Sequence, residues 1–368
     1  CTLLLLATAL LWSSCDDDEK QLLDIPAVYD GSAFQSNTAS EYALRNQLDA
    51  LITEAKKGRT AGVKVDAAIL HQLYQAGSPS LQSVTTTYYD GRLTGPSGWI
   101  QELGNASGGT YVPGPPTGEG GVYGGYLFDE NGLEPEQLLE KGLFGAALYH
   151  RAITLMQGPI TPATVDQLVA IYGAHPDFPN TPTTGKAANP DKGIAGYAAR
   201  RDKNDGLGYY TQMKNAFLQL QAAVKAGDAY REERDQAADA LRHTWEKINF
   251  ATVIHYCHSV VSILSATNPT DSDKARALHA YGECVGFTHG WRTLPQAYRT
   301  ITDAEIDELL VLLNAPYNGV PTSYTYATDP VNQLSKLTQV IQKIKTKYGF
   351  TDQEIEDFKQ NWVAIQGR

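Results

Sequence analysis

The chain of 368 residues has little cysteine (four residues) and little methionine (two), and it lacks any surplus of positive charge: 30 Lys and Arg stand against 41 Asp and Glu, a formal net charge of -11. That balance repels nucleic acid and anionic bilayer surfaces on average, so neither is an expected electrostatic partner. The basic run Arg200-Arg201-Asp202-Lys203 is too short to reverse it. No Gly-x-Ser-x-Gly elbow, phosphate loop, His-Glu-x-x-His or dinucleotide fingerprint is present, which removes the main support for the common hydrolases and nucleotide enzymes. No segment alternates with period two, and no repeat of fixed period is visible, so neither a sheet protein nor a solenoid is expected.

What is present points to helices. Hydrophobic residues make up 42%, enough for one large core or two modest ones. Residues 228–266 contain no proline or glycine, with Gly227 before and Asn268-Pro269 after, so one helix of about 55 Å at 1.5 Å per residue is predicted, with Asp228 as its N-cap. On a helical wheel Glu246, Phe250, Val253, Ile254, Cys257, Val260, Val261 and Leu264 share one side with His243. Capping boxes at Thr38-Ala39-Ser40-Glu41, Thr302-Asp303-Ala304-Glu305 and Thr351-Asp352-Gln353-Glu354 open further helices, and Pro135, Pro162 and Pro330 stand where helices begin. The expected fold is all-α, a bundle of about ten helices with long Gly/Pro-rich loops at 78–131 and 173–208. Gly142 and Gly145 fall inside a predicted helix, where each costs about 1 kcal/mol relative to alanine, so a neighbouring helix is expected to pack closely there.

The first residues read as an export signal. An apolar block from Leu3 to Trp12 is too short to span a bilayer, and small residues lead from it to Cys15. Leu11-Trp12-Ser13-Ser14-Cys15 resembles a bacterial lipobox, and Asp16-Asp17-Asp18-Glu19-Lys20 resembles the acidic surface-export signal of Bacteroidota lipoproteins. The expected organisation is a lipoprotein signal peptide at 1–14, an acidic tether at 15–37 and a helical domain at 38–368, built as one bundle or two packed bundles. Lipid on Cys15 would anchor the domain to the outer membrane at the cell surface. Cys257 and Cys284 remain, in a compartment where a disulfide can form.

Two constellations could carry chemistry. His243 and Glu246 lie one turn apart on the core-facing stripe, which suits iron or zinc or a tuned acid–base pair. His279 and Glu283, four apart, share a face of the next helix, where Gly282 and Gly286 allow close approach of a partner. If the two helices form an antiparallel hairpin, His258 reaches the level of His279 and Glu283, with Cys257 beside Cys284. The acidic turn Asp202-Lys203-Asn204-Asp205-Gly206 lacks the register of an EF-hand loop and reads as an ordinary turn.

With its export signal, helical body and His-x-x-Glu, the chain resembles the imelysin-like group of iron-regulated bacterial envelope proteins. It is most similar to an uncharacterised family of Bacteroidota lipoproteins, through Asp24-Ile25-Pro26-Ala27-Val28-Tyr29 and Glu140-Lys141-Gly142-Leu143-Phe144-Gly145-Ala146. The imelysin motif is Gly-x-His-x-x-Glu; here Leu241 holds the glycine position, and only His243 and Glu246 match. The resemblance implies a lipid-anchored binding protein linked to iron or haem uptake. The alternatives are a metallopeptidase using His243 as ligand and Glu246 as base or ligand, and a structural partner of an outer-membrane transporter that docks through the glycine-rich loops.

Overall fold

Helices make up most of residues 21–368, which the computed structural model describes; the expected signal peptide, Cys15 and the acidic run lie outside the described residues. The chain begins with α1 (Phe34–Asn37), α2 (Ala39–Lys56), α3 (Ala67–Gln75), α4 (Leu81–Val84), α5 (Thr87–Thr94) and α6 (Trp99–Ala106). A small antiparallel hairpin follows, β1 (Gly121–Tyr123) and β2 (Tyr126–Phe128), in the register Val122 to Leu127. Next come α7 (Pro135–Leu143), a π-helical stretch (Phe144–Tyr149) and α8 (His150–Gln157), continuous with one another, then α9 (Pro162–Tyr172), α10 (Gly193–Arg201) and α11 (Tyr209–Ala226). The last part holds α12 (Arg231–Leu264), α13 (Asp271–His289), α14 (Asp303–Leu312), α15 (Thr325–Thr328), α16 (Pro330–Tyr348), α17 (Asp352–Asp357) and α18 (Trp362–Gln366). The fold is all-α apart from the hairpin.

The predicted long helix exists as α12, 34 residues, about 50 Å at 1.5 Å per residue. It starts later than expected: residues Asp228–Tyr230 form a 3-10 turn, and Tyr230 occupies the N-cap position without a side-chain cap bond. Its middle is buried almost all round, from Thr244 to Ile254, because α10, α11, α13 and α16 pack against it from several sides. A helix enclosed in this way needs apolar residues on more than one stripe, and Trp245 and Ile248 supply them.

The glycine-rich loop at 78–131 is more ordered than its composition suggests. It contains α4, α5, α6 and the hairpin, and Tyr89, Leu93, Ile100 and Leu103 are fully buried. Tertiary packing outweighs weak local propensity here. The stretch 173–208 likewise contains α10. The tether at 15–37 gives way to packed structure before residue 37: the Tyr29 hydroxyl donates to Asp166 at 2.6 Å, Asn37 donates to the other Asp166 oxygen at 2.7 Å, and Phe34 is buried.

Capping follows the sequence at α3, α14 and α17, where Asp66, Thr302 and Thr351 accept backbone N–H groups. It fails at α2. Thr38 donates instead to the Phe34 carbonyl, and Glu41, fully buried, takes Arg151 as its partner at 2.9 Å. The two helix glycines do permit close approach: a Cβ on Gly142 would collide with the Tyr89 ring, and one on Gly145 would meet the Gly290 carbonyl at 2.7 Å.

Candidate functional site

The predicted residues are distributed over several places. Glu246 is buried and accepts the backbone N–H groups of Thr300 and Ile301 at 2.7 and 2.8 Å and the Tyr348 hydroxyl at 2.8 Å. It thereby holds the loop before α14. His243 is exposed, and its ring pairs with the Asp239 carbonyl of the preceding turn. The two do not converge: Leu241 and Trp245 beside His243 are buried, but His243 lies with Asp239 and Ala240 on a side of α12 that faces solvent.

The hairpin of α12 and α13 does form, and it places the Cys257 and Cys284 sulfurs 3.8 Å apart. Both are free, buried thiols, farther apart than the roughly 2.05 Å of a disulfide. Burial, with Cys257 beside it, pushes the Cys284 thiol well up, which disfavours the reactive thiolate. His258 turns toward Lys359 and lines a separate depression with Arg276; burial and that lysine push its imidazole down to about 4. His279 turns the other way, to Glu134 at 2.6 Å, and Glu283 pairs with Lys141 at 3.2 Å. Among the described residues no group of three or more His, Cys, Asp or Glu is placed to hold a metal ion.

The structure instead assembles an ion network around α7. Glu134, Glu136, Glu140 and Lys141 lie on this short helix, and all but Glu140 are buried. Arg59 bridges Glu134 at 2.9 Å and Glu136 at 2.6 Å, while its guanidinium lies over Tyr126, 5.1 Å from the ring centroid. Tyr126 also stacks on His279 at 4.3 Å. Burial works against charge on the His279 imidazole, but Glu134 more than offsets it and raises its pKa. Burial and the neighbouring Glu134 push the Glu136 carboxyl up to about 7. Glu140 is the opposite case: burial opposes its charge, yet Lys141 and Lys56 hold it down to about 2. Lys141, 4% exposed, sits between Glu140 at 2.9 Å and Glu283 at 3.2 Å. A buried ammonium needs such partners.

A cavity of about 490 Å³ opens beside this network. One wall is a single face of α2, where Arg45, Leu48, Asp49, Ile52, Thr53 and Lys56 recur at three- and four-residue spacing. Glu140, Phe144 and Leu148 form the floor, and Lys192, Gly193, Gly196, Tyr197 and Arg200 the opposite wall. Gly173 makes that wall possible. It ends α9 in the left-handed conformation, and a Cβ there would collide with the Lys192 carbonyl, so only glycine lets the two strands of chain cross.

The charges lining the cavity are unevenly matched. Lys56 pairs with Glu140 at 3.6 Å. Asp191 is occupied internally, accepting the Thr181 N–H and the Tyr210 hydroxyl, both at 2.8 Å, and burial pushes its carboxyl up to about 7. Arg45 donates to the Ala170 carbonyl at 3.0 Å and lies over the Tyr42 ring, and Arg200 lies over the Tyr197 ring. Among the described residues Arg45, Lys192 and Arg200 form no ion pair, and exposed Asp49 is the remaining carboxylate of the lining, its charge acting on both Arg45 and Lys192. A larger groove of about 620 Å³ lies between α14 and α16, but its lysines are matched, Lys343 to Glu308 and Lys347 to Glu305, each at 2.8 Å.

Sequence reasoning passed over this site. Its one local signal was three glutamates and a lysine within an eight-residue stretch of an otherwise apolar helix. The cavity's cations come from α2 and from the loop and helix at 192–200, far apart in sequence, and only packing brings them together. No protein-family model matches the chain, and no curated protein or solved structure is significantly similar to it.

Proposed function

We propose that this chain is a binding protein of the cell envelope, anchored by lipid on Cys15, and that its ligand occupies the cavity between α2, α7 and α10. One observation carries the reading: a cavity of about 490 Å³, within the usual range for small-molecule sites, whose walls are fixed by buried ion pairs and whose Arg45, Lys192 and Arg200 form no ion pair among the described residues. Glu140 and Asp191 are committed to Lys141, Thr181 and Tyr210, and Asp49 at the exposed edge faces the cations of the lining, an arrangement equipped to hold a ligand. The peptidase alternative needs His243 and Glu246 to act on one atom, and their side chains face solvent and interior respectively.

Native mass spectrometry of gently purified protein tests the site. Thr53 is exposed at the cavity wall, so Thr53→Trp fills the space without disturbing the core. A bound small molecule is expected on the parent and absent from the variant; identical spectra for both, across protein taken from rich and minimal media, would refute the assignment. Anchoring is tested by incorporation of a labelled fatty acid, expected in the parent and lost in Cys15→Ser.

A further inference from the structure

We infer that the cavity selects a small, polar oxyanion with more than one acidic group, such as a di- or tricarboxylate or a phosphorylated sugar. The inference rests on the binding-protein reading and adds the ligand's chemistry to it.

The first support is the charge count. The chain as a whole carries 41 acids against 30 bases, so a cavity that gathers Arg45, Lys192 and Arg200, none of them in an ion pair among the described residues, around the single uncommitted carboxylate Asp49 runs against the composition. An arginine held away from water without an anion is costly, and burial depresses the pKa of Arg45, although Tyr42 and Asp49 work in the other direction. A ligand oxyanion removes that cost. The planar guanidinium suits a carboxylate or phosphate through two parallel hydrogen bonds.

The second support is how the cations are spread. Lys192 precedes the first turn of α10, which has no side-chain cap, and Arg200 lies eight residues further along the same helix, about 12 Å at 1.5 Å per residue. Arg45 stands on the facing wall. One compact anionic group cannot engage both ends of such a site, whereas a ligand with acidic groups at separate points can. Thr53 and Tyr197 line the space between the cations, so the body of the ligand meets polar as well as apolar wall.

Isothermal titration calorimetry with citrate, succinate, glucose 6-phosphate and glucose reads the inference directly. Citrate or glucose 6-phosphate is expected to bind, and to weaken steadily as salt is raised. Comparing the two decides between the carboxylate and phosphate sources. Lys192 is exposed and makes no side-chain hydrogen bond or ion pair among the described residues, so Lys192→Met should fold normally and weaken binding about tenfold, with Lys192→Arg restoring it. Binding of an anion that is indifferent to both salt and Lys192→Met would overturn the inference. So would glucose binding as tightly as glucose 6-phosphate with loss only in Thr53→Trp, an outcome that leaves the binding-protein reading standing. If no probe binds and native mass spectra show no ligand sensitive to Thr53→Trp, both fail.

Discussion

Among the histidines, His289 shows how burial decides chemistry. Its ring is 3% exposed, packed edge-on to Tyr89 and Trp99, and its Nε2 meets the Tyr88 hydroxyl at 2.7 Å. Burial, with Arg92 and Arg292 nearby, pushes its imidazole from 6.5 down to about 3. The unfolded chain therefore binds a proton at this residue between about pH 6.5 and 3 while the folded chain does not, so stability falls as the solution is acidified through that window. His289→Gln, which cannot take up that proton, is expected to flatten the acid limb of a plot of urea-unfolding free energy against pH. A limb of unchanged slope would show that His289 is not the group responsible. Glu136 acts in the opposite direction: its folded carboxyl titrates near 7 rather than 4.5, so its contribution is lost as pH rises through that interval.

For the elements, α7 and α13 are the closest-fitting pair. Gly142 faces Tyr89, whose hydroxyl donates to the Leu138 carbonyl at 2.8 Å, and Gly286 and Gly290 meet the α7 backbone from the other side. Alanine is the better helix former by about 1 kcal/mol, so in an open helix Gly142→Ala would stabilise. Here the added methyl has no room, and overpacking typically costs about 1–3 kcal/mol; a lowered melting temperature is expected. The sequence anticipated this close contact because two glycines inside a helix need a reason. It did not anticipate the order of residues 78–131, because three short helices there, α4, α5 and α6, are held by neighbours and not by their own propensity. Nor could a helical wheel show that the side of α12 carrying His243 is left uncovered by its neighbours, so the wheel gave the residue's angle and not its surroundings.

Across the whole molecule, the segment ahead of α2 belongs to the fold. Tyr29 and Asn37 are the two side-chain donors to Asp166, which is buried on α9. Tyr29→Phe removes one of them and leaves a buried carboxylate oxygen without its donor, at a cost of about 1–3 kcal/mol, measurable as a lower urea midpoint with an unchanged slope. An unaltered midpoint would show that this segment is only laid against the surface.

Local sequence determined the helical class, the place of the long helix α12 to within a few residues, the caps at Thr302 and Thr351, and the meeting of Cys257 with Cys284 across one hairpin. Each depends on residues within a few turns of one another, where spacing along the chain translates directly into position. The tertiary structure alone decided which charged groups are buried together, that Glu246 serves the loop at Thr300 and Ile301, and that Arg45, Lys192 and Arg200 surround one cavity. Those outcomes depend on contacts between distant segments, from 54 residues apart for Glu246 and Thr300 to 145 for Glu134 and His279, for which spacing carries no information until the core has packed.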